Sequence, residues 1–586
     1  MKNRIHKLTR NGERFYIDGE PFTIRSGAIH YFRVPRPYWR DRLLKLKECG
    51  FNTVETYVAW NVHESHEGDF DFSGEKDVAA FLRTAQELGL YAIVRPGPFI
   101  CAEWEAGGFP AWLLADRNMR LRCNYAPYMQ KVERYFKRLF AELSPCAIEN
   151  GGNVILWQVE NEYGSYGNDK EYLRRLVEIY RENGIAGQLF TADGAWINML
   201  VKGALPETCL PFVTFGSRTE EAMRCVDLFV KNTPKMCAEF WCGWFDHWGE
   251  EHHTRTSEDV LKDLEPFFIH GWSFNFYMFH GGTNFGFMNG ANSGEKYMPT
   301  VTSYDYCGLL TEAGDRTGTY YKVRDMFIKY GVNVPALTAK ESKKAAYGKV
   351  RFTERAYLFE QLDALSKPIT STYPPYMEEI GQNYGYILYS TVVPKGLEED
   401  RLFLDNVADR ALVYLDGKRI ATVDRNEPAE VLFDTEDGDR RLDILVENRG
   451  RINYGTDICD RKGLESVRLS SAKLFGYTVY SLEMQDLSGL RLEESNNKAT
   501  DMPVFCTGAF SVDEPCDAFV EIAGAERGFI TVNGFNLGRF NNTQGPQKTL
   551  YVPAPYVKAG ENELVIFSSD GADENVTAVF SDTPEL

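Results

Sequence analysis

Between residues 20 and 330 the chain alternates two hydrophobic rhythms. Short apolar runs occur at "FTIRSGAIHYF" (22–32), "FNTVETYVAW" (51–60), "LYAIVRPGPFICAEW" (90–104), "VILWQVENEY" (154–163), "QLFTADGA" (188–195), "FVTFGS" (212–217), "KMCAEFWCGWF" (235–245) and "SFNFYMFHGGTNFG" (273–286). They read as buried strands. Between them lie helical patterns such as Glu75–Gly89, where Val78, Phe81, Leu82, Ala85 and Leu88 form one stripe and Gly89 ends it. Similar segments run from Arg36 to Gly50 and from Thr256 to Gly271. Eight strand–helix units over about 300 residues predict an α/β fold, a (β/α)₈ TIM barrel spanning 1–335. A doubly wound open sheet is the runner-up, but no glycine-rich phosphate fingerprint follows the first strand.

Nearly every strand candidate starts apolar and ends polar or aromatic: His30 and Tyr31, Tyr57 to Asn61, Glu103 and Trp104, Asn161 and Glu162, Glu239 to Trp244, and His280. Any one of these could be a satisfied polar cap. Together they are the signature of a barrel that gathers its chemistry at the C-terminal ends of its strands.

After residue 335 the texture changes to short alternating strands separated by Gly, Asn and Asp. "ALVYLDGKRIATV" (411–423) and "FITVNGFNLGRF" (529–540) share a strand, an Asp-Gly or Asn-Gly turn and a second strand. Each has a closing strand downstream, at 441–450 and 561–570. This weak repeat predicts two all-β sandwich domains of jelly-roll type, over 336–500 and 501–586, bracing the barrel.

Composition narrows the partners. A formal charge of −19 repels phosphate backbones and anionic membranes, so neither nucleic acid nor membrane is expected as a partner. The N-terminus shows no apolar signal region, and no run reaches the roughly 18 apolar residues of a membrane helix. The 12 cysteines lack a CxxC pair or zinc spacing, so no metal or other cofactor is expected, and the chain reads as cytoplasmic and thiol-reduced. Aromatic residues reach 14%, which fits large cores and also fits stacking on sugar rings.

Sugar cleavage needs two carboxyl groups flanking the scissile bond, one protonated at rest and one ionised. The fourth and seventh strand candidates end in "WQVENEYGSYG" (157–167) and "CAEFWCGWFDHWG" (237–249), which supply Glu162 and Glu239. Across a closed barrel these strands can aim side chains at one axial pocket. A carboxyl separation of about 5–5.5 Å serves retaining chemistry and about 6.5–9.5 Å serves inverting chemistry. Sequence leaves that choice open.

"SGAIHYFRVP" (26–35), "GFNTVETYVAWNVHE" (50–64), "RPGPFICAEWEAGGFPAWL" (95–113), "QVENEYGSYG" (158–167), "AEFWCGWFDHWG" (238–249), "MFHGGTNFGFMNG" (278–290) and "TSYDY" (302–306) closely resemble the β-galactosidases of glycoside hydrolase family 35, in their compact bacterial form. "VNGFNLGRF" and "GPQKTLYVPAPYVKAGENELVIF" look like that family's last β domain. The resemblance implies a retaining mechanism in which Glu162 is the acid/base and Glu239 the nucleophile. Asn161 would bond the sugar 2-OH, and Tyr57, the Ala102 backbone, Glu103 and Tyr306 would hold the galactose. Glu160 is then a structural residue. Trp241 and Trp244, just after the nucleophile, can form an aromatic wall. Many relatives carry Asp where this chain has Cys307, which leaves the loop after the eighth strand open.

The expected activity is exo-acting hydrolysis of terminal β-galactose from oligosaccharides, without cofactor or metal. Another retaining exo-β-glycosidase, or a catalytically inert sugar-binding protein on the same frame, are the alternatives. Several compact relatives favour β-1,3-linked galactose, and Tyr454 in "ENRGRINYG" (447–455) is a candidate to reach over the barrel mouth and clamp the second sugar. Compact relatives are often dimers, so the resemblance admits a homodimer.

Overall fold

The structure is a computed structural model that describes residues 6–396, 400–435, 438–494 and 499–586. Eight strands form the barrel: β1 (Arg25–Ile29), β2 (Thr53–Tyr57), β3 (Tyr91–Arg95), β4 (Val154–Gln158), β5 (Gln188–Gly194), β6 (Leu210–Phe215), β7 (Met236–Trp241) and β8 (Ser273–His280). All neighbours are parallel and β8 pairs back onto β1, so the sheet closes. Seven strands fall within the apolar runs, and β6 starts two residues ahead of its run, at Leu210.

The helices follow the stripes that predict them. The segment at Val78–Glu87 buries Val78, Phe81, Leu82 and Ala85, and the Asp77 side chain accepts from the Ala80 N–H as its N-cap. Trp39–Cys49 and Ser257–His270 both end on a glycine in the left-handed region, Gly50 at φ 112° and Gly271 at φ 68°.

The two ends of the barrel are built differently. The N-terminal end is apolar, packed with Ile24, Ile93, Leu156, Phe190, Phe212, Met236 and Ala238. Leu8, Phe15 and Ile17, from a small antiparallel sheet over residues 8–22, plug it. Toward the C-terminal end, Glu55, Arg95, Gln158 and Glu239 are buried and meet one another instead. Burying charge is costly unless it is paired, so this end is specialised for chemistry and the plugged end for stability.

Both hairpins in the β region form as expected. Arg410–Leu415 pairs with Lys418–Asp424 around Asp416-Gly417, and Arg527–Val532 with Phe535–Asn541 around Asn533-Gly534. Asp416, Gly417, Asn533 and Gly534 all have positive φ, between 47° and 81°, as a two-residue turn matched to strand twist requires. Strand pairing divides the β region differently from the expected boundary at 336. Gly348–Arg351 and Glu354–Tyr357, from the stretch assigned to the first sandwich, pair with Thr577–Phe580 and Val504–Thr507 at the far end of the chain. The chain thus lays down strands of the last sandwich before it builds the first, whose sheets take strands from Ile369 to Leu482. A shared apolar layer, including Tyr386, Leu388, Leu412, Phe505, Phe529 and Phe567, joins the two sandwiches. Among the described residues no helix is long and apolar enough to cross a membrane.

Candidate active site

A cavity of about 360 Å³ opens at the C-terminal end of the barrel. Glu103, Glu162, Glu239, Trp241, Trp244, Tyr306 and Tyr454 all line it. Tyr57, Ala102 and Asn161 stand just behind this lining, engaged with residues of the site. The Tyr57 hydroxyl donates to Glu239 Oε1 at 2.7 Å. The Ala102 carbonyl accepts from the Arg33 guanidinium. Asn161 Oδ1 accepts from Arg95 Nη2 at 2.5 Å and Gln158 Nε2 at 2.8 Å, while its buried Nδ2 has no partner among the described residues. A buried donor without an acceptor is costly in the empty protein, and a ligand hydroxyl would relieve it.

The two glutamates have opposite surroundings. Glu239 lies within β7 and receives Tyr57 on one oxygen and the Trp241 indole N–H at 3.0 Å on the other. Arg95, at the end of β3, reaches the same carboxylate at 2.5 Å. Three donors, one of them a cation, stabilise its negative charge. Glu162 lies four residues beyond β4 and accepts from the Thr214 hydroxyl at 2.7 Å. Burial holds its carboxyl well above the usual carboxylate range, and the nearby negative charges of Glu239 and Asp193 push the same way, against the weaker pull of Thr214 and Arg95. Burial likewise raises Glu103 to about 7 although Tyr304 and Arg33 oppose it, and raises Glu55, which shares Arg95 with Glu239, to about 7.

The backbone at these positions is unusual. Glu103, Glu162 and Tyr306 have φ of 49°, 46° and 58°, in the left-handed region that non-glycine residues rarely adopt. Each such residue costs on the order of 1–3 kcal/mol and persists only where its surroundings determine it. For Glu162 these are the Ala192 carbonyl, which accepts its N–H at 2.9 Å, and the N–H of Ser165, which donates to its carbonyl at 3.0 Å.

Glu160 is occupied elsewhere. Arg122 grips both its oxygens at 2.7 and 2.8 Å, with the guanidinium held between Phe99 and Tyr166. Cys307 also has a defined place. Its thiol donates to the His253 carbonyl at 3.1 Å, which ties the loop after β8 to the loop after β7. Tyr454 comes from the first sandwich. Its loop is anchored by Arg451, which is fully buried and bonds Glu105 of the barrel at 2.6 Å and Glu378 of the sandwich at 2.7 Å. Breaking one partner of such a buried pair costs about 3–5 kcal/mol. So anchored, the Tyr454 hydroxyl reaches Ser165 Oγ at 3.1 Å, three residues from Glu162.

Arg95, Thr214 and Glu55, and Tyr277, which lines the cavity, were not singled out from the sequence. Arg95 carried a usable signal, a single cation closing the apolar run "YAIVR". Thr214 did not, because a threonine in a strand is ordinary.

Comparison with known proteins places this geometry. The profile of glycosyl hydrolases family 35 matches residues 14–330, that of the beta-galactosidase first all-beta domain 374–483, and that of the beta-galactosidase galactose-binding domain 503–562. The chain is 41% identical over 602 residues to human Beta-galactosidase-1-like protein 2, covering 100% of this chain and 93% of that protein. It is 42% identical over 553 residues to a Beta-galactosidase of Xanthomonas manihotis, covering 92% and 90%. It is 40% identical over 613 residues to the human Beta-galactosidase, covering 100% and 89%.

Proposed function

The chain belongs to glycosyl hydrolases family 35 and is a glycoside hydrolase; we propose that it is an exo-acting, retaining β-galactosidase. The observation that carries this reading is the contrast between the two carboxylates. One has its carboxyl pKa raised by burial and by the negative charges beside it, and the other receives Arg95, Tyr57 and Trp241 on its oxygens. A general acid and a nucleophile need that division.

In the first step a Glu239 oxygen attacks the anomeric carbon while the Glu162 proton passes to the glycosidic oxygen. The C–O bond to the leaving sugar breaks, and a galactosyl ester forms on Glu239. In the second step the Glu162 carboxylate takes a proton from water, whose oxygen attacks the same carbon. The ester breaks, and galactose leaves with its original configuration. The free Nδ2 of Asn161 donates to the sugar 2-OH, a contact that strengthens as positive charge develops at the anomeric carbon. Glu103 and Tyr306 line the cavity where the remaining hydroxyls sit, including the axial 4-OH that distinguishes galactose, with Tyr57 and the Ala102 backbone next to them.

Trp241, Trp244 and Tyr454 form the wall for the second sugar, and a β-1,3 linkage is preferred. Changing the linkage rotates that ring, and a fixed aromatic wall stacks one orientation only. Assay of a chromogenic β-galactoside beside the matching β-glucoside tests the activity. Hydrolysis of the galactoside alone is expected. Preference for the glucoside would overturn the substrate, and inertness on both would overturn the enzyme reading.

A further inference from the structure

The cavity extends past every residue assigned so far. Its other wall comes from the loops after β5 and β6, which contribute Ala195, Trp196, Met199, Ser217 and Arg218. Exposure grades along it. Glu239 and Tyr306 are each 3% exposed at its depth, whereas two tryptophans stand at its rim, Trp244 at 41% on the β7 loop and Trp196 at 38% on the β5 loop.

The Trp196 indole has no evident role in the fold. Its backbone caps the short helix Ile197–Gly203, with its carbonyl accepting from the Met199 and Leu200 N–H groups at 2.9 and 3.1 Å. That cap leaves the ring out. Instead the Arg218 guanidinium lies 5.4 Å from the indole centroid, clamped in turn on Glu221 at 2.7 and 2.5 Å. The indole is therefore braced, and the charge beside it is neutralised.

The end of β5 and the helix that follows it both pack against the loop that carries Glu162. The Gly164 N–H donates to Asp193 Oδ1 at 2.7 Å, and a Cβ at Gly164 would stand 2.0 Å from the Met199 carbonyl oxygen. Only glycine admits that approach, so Trp196 holds a fixed offset from Glu162. An aromatic platform at the rim, rigid with respect to the residue that faces the leaving group, suits a sugar ring beyond the first leaving sugar.

We infer that Trp196, braced by Arg218, is a second aglycone subsite that stacks the third ring of a neutral oligosaccharide. The inference rests on the galactosidase reading and names its substrate class, glycans of at least three sugars with terminal β-galactose. The neutral Arg218–Glu221 pair favours an uncharged ring over an acidic one. The subsite is tested by kcat/KM on three β-galactosides: a nitrophenyl galactoside, a galactosyl-GlcNAc disaccharide, and that disaccharide extended by one neutral hexose at its reducing end. Stacking predicts that wild type favours the trisaccharide over the disaccharide by about fivefold. Trp196→Ala brings that ratio to about 1, whereas Trp196→Phe keeps most of it, because a flat ring remains. Both rates come from one variant, so a change in stability cancels. A wild type blind to chain length, or a Trp196→Ala variant that keeps the ratio, would overturn the subsite. An equal Trp196→Ala loss on an octyl galactoside would also overturn it, by showing a merely greasy rim. A wild type that cleaves none of the three would instead refute the galactosidase reading itself.

Discussion

The ends of β4 and β7 present the same side chain to the same cavity, and nearly every neighbour differs. At the β7 end, Glu239 sits inside the strand, fixed by a cation and two neutral donors from three other positions on the barrel rim. At the β4 end, Glu162 sits past the strand on a left-handed backbone, with one hydroxyl for a partner and negative charge nearby. A carboxylate's role is thus set by what faces it and by how firmly its backbone is held. Glu160 makes the same point from two residues away, since a bidentate arginine takes up both its oxygens and removes it from the chemistry.

The largest effect separates the two ends outright. Glu239→Gln keeps shape and removes the carboxylate proposed as nucleophile, and kcat should fall by about 10⁴-fold or more on every substrate. Glu239→Gly makes room for azide, and product analysis should then find the α-galactosyl azide. Near wild-type turnover by Glu239→Gln would break the comparison.

Glu162→Ala should instead discriminate between substrates. Oligosaccharide hydrolysis should drop by about 10²–10⁴-fold, the usual worth of a general acid. A galactoside whose leaving group needs no proton should still form the galactosyl-enzyme, visible as a burst followed by slow turnover. Equal losses on both substrates would remove the acid role from Glu162.

Tyr454→Ala should cost about fivefold on the β-1,3 disaccharide, the worth of one aromatic stack. It should spare the bond-breaking step of a nitrophenyl galactoside. Comparable rates on β-1,3 and β-1,4 isomers would sink the clamp and leave the carboxylate contrast untouched.

The smallest effect is one of pH. The carboxyl of Glu162 is raised, so its acid form is present at low pH and is lost as pH rises through its pKa. The basic limb of kcat/KM on oligosaccharides should follow that loss. The Thr214 hydrogen bond lowers the same pKa, so Thr214→Val should move the limb to higher pH, by under about one unit for a single neutral bond. Movement to lower pH would mean that another group sets the limb.

Much of the barrel was legible because its signals are local. Each apolar run and each helical stripe reports its own burial, and left-handed glycines close the helices at Gly50 and Gly271. Glu162 and Glu239 were legible as polar endings of apolar strands. What stayed hidden depends on distant partners. Strands 348–351 and 354–357 look like any others until their partners, more than 140 residues downstream, are known. Thr214 and Trp196 take their meaning from neighbours in space that no spacing rule connects. Tyr454 could be named from the chain, but its reach depends on a buried Arg451 network that bridges two domains.

The account stands most directly on Glu239 forming a covalent bond to galactose. A 2-deoxy-2-fluoro-β-galactoside with a good leaving group slows both steps and should accumulate the galactosyl-enzyme, which peptide mass spectrometry can locate. The label should lie on Glu239 in the "AEFWCGWFDHWG" segment, in wild type and in Glu162→Ala, and should be absent from Glu239→Gln. A label on Glu162, or turnover that proceeds through no covalent intermediate, would contradict the assignment of the two ends.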